Sequence, residues 1–224
     1  MTDTQAETLT IDIVSDVMCP WCLIGYKQLE KALASTGTNA NITWHPFELN
    51  PQMPDEGQNF REHMSEKYGT SPEESAQTRD HMTKAGAELG ITFNFDDNMR
   101  MENTFSAHQL LHWAEEHGKQ HELKMALFEL HFTQRENVND TDTLANAAAH
   151  VGLDRDEALA LLKDQRYAAA VREKQQFWMQ QGIQGVPATV VNRRHLISGA
   201  QGEAGFAQLL QQLALEEAEQ ENTD

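Results

Sequence analysis

Strand-forming residues stand at the two ends of this 224-residue chain, with roughly 110 residues of helical pattern between them. That order leaves few folds open: the ends must meet to build a sheet, and the helical stretch must leave it and return. The first end, Thr8-Leu9-Thr10-Ile11-Asp12-Ile13-Val14, is β-branched and alternating. Cys19-Pro20-Trp21-Cys22 follows, and then Leu23, Tyr26, Leu29, Ala32 and Leu33 keep helical spacing. Residues 42–49 read as a second strand that runs out into a loop at 50–54, which makes a parallel strand–helix–strand unit. At the far end, residues 186–191 form a strand, 192–194 a tight turn and 195–198 its hairpin partner. A last helix carries Phe206, Leu209, Leu210 and Leu213 on one face.

The middle is punctuated as helices. Ser71-Pro72-Glu73-Glu74 is a capping box with proline at the first helical position, and Gly90 closes that helix. Asn103 or Thr104 caps a helix running to Gly118, and Leu123, Ala126, Leu127 and Leu130 mark the apolar face of the next. Asp140 or Thr141 starts a short helix, Asp154 with Glu157 another, and a longer one spans about 167–181. The economical reading is one α/β domain in two halves, 8–56 and 166–215, around a helical insertion at 57–165, with an acidic tail at 216–224.

Cys19 and Cys22 are the chain's two cysteines, placed in a strand-to-helix turn. Unpaired backbone N–H groups and the positive end of the helix dipole favour a thiolate there, so a depressed pKa is expected for Cys19. Asp16, three residues earlier, opposes this if its carboxylate points at the sulfur. Cys22 lies one turn on, within reach of a mixed disulfide formed at Cys19. A structural zinc site wants four ligands, and no second cysteine pair is present. The spacing therefore points to dithiol–disulfide exchange.

A net charge of −18 argues against nucleic acid or an anionic membrane surface as partner. No apolar run approaches the length of a membrane span, and residues 1–7 carry neither a basic region nor an apolar stretch. The expected location is the cytoplasm, where such a pair rests reduced.

The motif after a first strand, the strand–helix unit and a Val-Pro opening a late hairpin resemble the thioredoxin fold, and the helical insertion resembles its DsbA-like branch. The string from Ser15 through Cys19-Pro20-Trp21-Cys22 to Gly25 is similar to the FrnE-type subgroup of DsbA-like oxidoreductases, as are Asn103-Thr104-Phe105-Ser106-Ala107-His108, Gly182-Ile183-Gln184-Gly185-Val186-Pro187 and Ser198-Gly199-Ala200-Gln201. The resemblance implies an α/β thioredoxin fold interrupted by a large all-helical insertion. It implies Cys19 as nucleophile, Cys22 as resolving thiol, and Pro187 as a cis-proline facing them, with Val186 offering backbone groups to substrate. Some relatives carry a second, C-terminal cysteine pair, which this chain lacks. The Pro20-Trp21 dipeptide differs from that of thioredoxin and the periplasmic oxidases, so the direction of electron flow does not carry over.

The implied activity is thiol–disulfide exchange with protein or small-thiol substrates, by a monomer or homodimer. No cofactor or metal is needed, although glutathione can serve as co-substrate. Two rivals remain. Kappa-class glutathione transferases and 2-hydroxychromene-2-carboxylate isomerases share the scaffold but typically carry serine at the position of Cys19, and glutathione supplies their sulfur. A non-catalytic, chaperone-like peptide-binding module would leave the cysteines without a role. His108 with His112, and His117 with His121, are spaced i, i+4, but no zincin-type glutamate accompanies them. Asn103 and His108 either approach the site or simply cap and pack their helix. Met53, Met64, Met82, Met99 and Met101 cluster where the insertion begins, as core filling or as a pliable substrate surface, and Trp21 is expected half exposed between the cysteines.

Overall fold

In a computed structural model, which describes residues 8–221, a four-stranded sheet takes its strands from both ends of the chain. β1 (Leu9–Ser15) is central, paired in parallel with β2 (Ala40–Pro46) and antiparallel with β5 (Ala188–Val191), which pairs antiparallel with the edge strand β6 (His195–Ser198). Ile11 sits opposite Ile42 on one side and Val191 on the other. β1 is covered on both faces. Ile11 and Ile13 pack with Leu23, Ile24 and Leu29 of α1 (Pro20–Thr36) and with Phe206 and Leu210 of α9 (Gly202–Glu221). Val14, on the other face, meets Trp178 of α8 (Ala168–Gln180).

Between β2 and α8 run α2 (Phe60–Tyr68), α3 (Pro72–Glu88), α4 (Phe105–Glu116), α5 (Gln120–Glu129), α6 (Thr141–His150) and α7 (Arg155–Asp164). Leu110, Trp113, Leu123, Leu127, Leu144 and Leu161 give this stretch a core of its own. α5 serves both cores, because Leu123 and Leu127 face the helices while Phe128 packs into the sheet core. Its neighbour Lys124 is 1% exposed.

Local signals set the element ends. Both halves of the Ser71–Glu74 capping box are formed, Asp140 accepts from Thr143 N–H, and Asp154 accepts from Glu157 N–H. Thr104 is the residue before α4, but Asn103 supplies the side-chain bond, its Oδ1 accepting from Phe105 N–H. Three features depart from expectation. Residues Gln58–Asn59 and Arg100–Met101 pair as a two-stranded ribbon (β3, β4), and α5 continues into a π-helical turn at Leu130–Gln134. α9 runs on to Glu221, through most of the stretch read as a tail, while residues 222–224 lie outside the described residues.

Candidate active site

Cys19 is the N-cap of α1 and Pro20 its first residue, where a missing N–H costs nothing. Cys19 makes no side-chain cap bond, so its sulfur is not spent on its own helix. The turn is fixed by backbone: Cys19 N–H donates to Asp16 O at 3.2 Å, and Cys22 N–H donates to Cys19 O at 3.1 Å. Across from it, the Val186–Pro187 peptide bond is cis, and Cys19 Sγ lies 3.8 Å from the Val186 carbonyl oxygen. A Cβ at Gly25 would stand 3.4 Å from Pro187 Cγ, so α1 and the proline loop lie within van der Waals reach there. Cys19 is 4% exposed and Cys22 is fully buried, so Cys19 is the sulfur with any access.

The two thiols titrate as one unit. Hydrogen bonding to Cys22 and burial hold the Cys19 thiol well above its ordinary value. This corrects the expectation of a depressed Cys19: the helix N-terminus acts on the pair, and the proton that remains stays on Cys19 as donor to its partner. Burial alone would raise Cys22, but the Cys19 hydrogen bond and the Lys124 ammonium outweigh it and bring Cys22 below the usual thiol range. Lys124 Nζ lies 5.4 Å from the centroid of the Trp44 ring and 4.8 Å from that of Phe128. Burial lowers Lys124 to about 8, against the opposing pull of Cys22 and Asp16.

Asp16 is tied down, and from there its charge adds to what raises the Cys19 thiol. Its Oδ2 accepts from Leu49 N–H at 2.7 Å, and Oδ1 stands 3.3 Å from His108 Nε2. Burial would raise this carboxyl, yet the His108 contact and the Leu49 N–H together hold it below its ordinary range. His108, 2% exposed, also approaches the Phe47 carbonyl at 2.9 Å. It therefore reaches the cysteines only through Asp16. Asn103 stays at the start of α4, its Nδ2 donating to Met53 O at 2.8 Å. Neither residue lines the space over Cys19. Of the other spaced histidines, His117 bonds the Trp113 carbonyl and His121 the Trp44 indole, while His112 packs on the Tyr167 ring and its buried Nδ1 has no hydrogen-bond partner among the described residues.

A cavity of about 250 Å³ opens over Cys19. Cys19, Pro20, Trp21 and Val186 form its floor, and Met64, Met82, Met99 and Met101 stand among its walls. Met53 lies instead in the helical core. Half-buried Trp21 leans on His81 of α3, the ring centroids 5.6 Å apart.

The DSBA-like thioredoxin domain family matches residues 10–211. The chain belongs to that family. Its DSBA-like architecture is shared with the probable DsbA oxidoreductase SCO1869 from Streptomyces coelicolor, at 34% identity and a TM-score of 0.87, over 93% of this chain and 91% of that one. The uncharacterized protein YwbO of Bacillus subtilis (strain 168) is 28% identical over 204 residues, 89% of this chain and 94% of YwbO. The cytosolic disulfide reductase DsbM from Pseudomonas aeruginosa, in a structure with GSH, shares the fold at 16% identity and a TM-score of 0.61, over 91% of this chain and 98% of that one.

Within this DSBA-like frame, Lys124 is the residue that sequence reasoning missed. One signal was available: Lys124 stands i−3 and i−4 from Leu127 and Phe128, so it interrupts an apolar face. A lysine there is buried and must find charge partners or give up its proton.

Proposed function

We propose that the chain is a thiol–disulfide oxidoreductase of the FrnE type, working through Cys19 and Cys22 without a resident cofactor. The observation that carries this reading is the hydrogen-bonded pairing of Cys19, the less buried thiol, with fully buried Cys22, and the Val186 carbonyl 3.8 Å from the Cys19 sulfur. In the reductive direction, Cys22 thiolate takes the Cys19 proton, and Cys19 attacks one sulfur of a substrate disulfide. A Cys19–substrate disulfide forms and one thiolate leaves. Cys22, passing its proton to that leaving sulfur, then attacks Cys19 and expels the second sulfur as a thiolate, which takes its proton from water. Two electrons pass from the pair to the substrate, leaving Cys19–Cys22 oxidised. Val186 and Pro187 hold the substrate's edge, Pro20 and Trp21 shape the floor, and His108 steadies Asp16 beneath it. The partner is a disulfide- or dithiol-bearing molecule, and glutathione is the class of thiol that recycles the pair. We place the pair in the cytoplasm, resting reduced.

Replacing Cys22 with Ser should end turnover and accumulate a mixed disulfide on Cys19, read as an adduct by intact mass. The wild-type pair should show one reversible two-electron couple against a glutathione buffer. A folded Cys22→Ser variant that gains no adduct from any disulfide would overturn this reading.

A further inference from the structure

The cavity over Cys19 is uncharged in a chain of 52 charged residues. Its lining includes no Asp, Glu, Lys or Arg. Its one histidine, His63, is pushed below its ordinary value by burial first and by Lys67 second, and shares a 2.8 Å hydrogen bond with Gln58. The nearest cations are engaged at the rim of the space. Lys67 Nζ donates to Leu49 O and Asn50 Oδ1, and Arg79 stacks on Phe60 and donates to Asp96 O and Asp97 Oδ1. A carboxylate or ammonium entering this space would lose its hydration and meet no charged side chain in the lining, the Lys67 ammonium being bonded to Leu49 and Asn50.

Size points the same way. About 250 Å³ lies below the range of roughly 300–1,000 Å³ that holds drug-sized ligands. Helices α2 and α3 roof the space, Trp21 rests against His81 of that roof, and Cys19 is 4% exposed. A small molecule inside the cavity can bring its sulfur to Cys19, whereas a disulfide fixed on a folded protein has to enter between these walls. Five unbranched methionine side chains in the lining adapt to differing shapes, which suits a class of apolar groups rather than one compound.

We infer that this cavity selects small disulfides whose flanking groups are uncharged and apolar, and that it disfavours both charged small disulfides and disulfides carried on folded proteins. This rests on the exchange chemistry proposed above and names its substrate class. Each turnover cleaves one such disulfide to two thiols and oxidises Cys19–Cys22. A thiol of the glutathione class acts afterwards as reductant on the oxidised pair, through the same Cys19 mixed disulfide, so the cavity slows that step as well.

The test is single-turnover oxidation of the pre-reduced protein, followed by acid quench and alkylation counting. The probes are dipropyl disulfide, glutathione disulfide and native insulin, each rate divided by that of the same probe with dithiothreitol. The normalised rate for dipropyl disulfide should exceed the other two by at least about tenfold. Met64→Lys, at a half-buried wall position where a long side chain can keep its charge near water, should shift the preference toward anionic glutathione disulfide by about fivefold or more. Equal normalised rates, or a preference that Met64→Lys leaves untouched, would overturn the inference while leaving the exchange chemistry standing. A folded wild-type protein that none of the three probes oxidises would sink both.

Discussion

Around β1 and α1, the residues that matter for the cysteine pair are neighbours in the chain: Asp16, Cys19, Pro20, Trp21 and Cys22 share one strand-to-helix turn. The helical stretch contributes differently. α5 brings Lys124 from far along the sequence, α4 brings His108 to Asp16, and α2 and α3 supply the roof. The sheet region therefore holds the reacting sulfurs, and the helical region sets their electrostatics and decides what reaches them. Chemistry can reside in a short local motif, whereas tuning and access need side chains that only tertiary packing brings together.

The sharpest way to break this division is Lys124→Met, which keeps the volume of the side chain and removes its charge. The first apparent thiol pKa of the pair should rise by about 1–3 units, read by thiolate ultraviolet absorbance. With the thiolate less stabilised, the disulfide should become less oxidising. An unshifted titration in a folded variant would mean that the helical region does not tune the sulfurs.

A second prediction concerns the helical region alone. Burial pushes the Glu102 carboxyl up from 4.5 to about 7, although Val138 N–H donates to it at 2.8 Å. Beside it, 3.9 Å away, burial lowers His131 from 6.5 to about 4. The folded chain binds the Glu102 proton more tightly than the unfolded chain, so this group's contribution is present below pH 4.5 and is lost as pH rises through 7. His131 has the opposite sign, its contribution growing from pH 4 to 6.5 and then levelling. Glu102→Gln should cancel the first effect. Urea unfolding should show the variant gaining about 2–3 kcal/mol on wild type between pH 4.5 and 8. A pH-independent difference would place the carboxylate in contact with water.

The smallest effect belongs to the roof. Ser71→Ala removes one half of the α3 capping box and should cost about 1 kcal/mol. Amide exchange in the first turn of α3 should accelerate while the thiol titration stays where it was. A shifted titration would show that roof and sulfurs are coupled more closely than their separate elements suggest.

Legibility in the sequence followed the same division. The cysteine turn, the Ser71 capping box and the 195–198 hairpin partner are written in residues a few positions apart, and each appears where its pattern put it. The ribbon of Gln58–Asn59 with Arg100–Met101 has two residues a strand, too few for alternation to register. The π-helical turn is hidden because Leu130 continues the helical spacing of α5. The Cys19 titration departs from expectation because its hydrogen bond to Cys22 and its burial act against the helix N-terminus. His108 was singled out in the sequence, but its route to the site runs through Asp16, a contact between two separate elements.

Ile11 pairs with Val191, so the central strand finds its antiparallel neighbour only after almost the whole chain has been made. On a ribosome, β1, α1 and β2 emerge first, with both thiols in place but no Val186 or Pro187 across from them. Closing so long a loop is slow and entropically costly. The Val186–Pro187 side of the site is thus among the last parts of the molecule to form, and a chain cut short before the hairpin would carry the cysteine motif without the carbonyl that faces it.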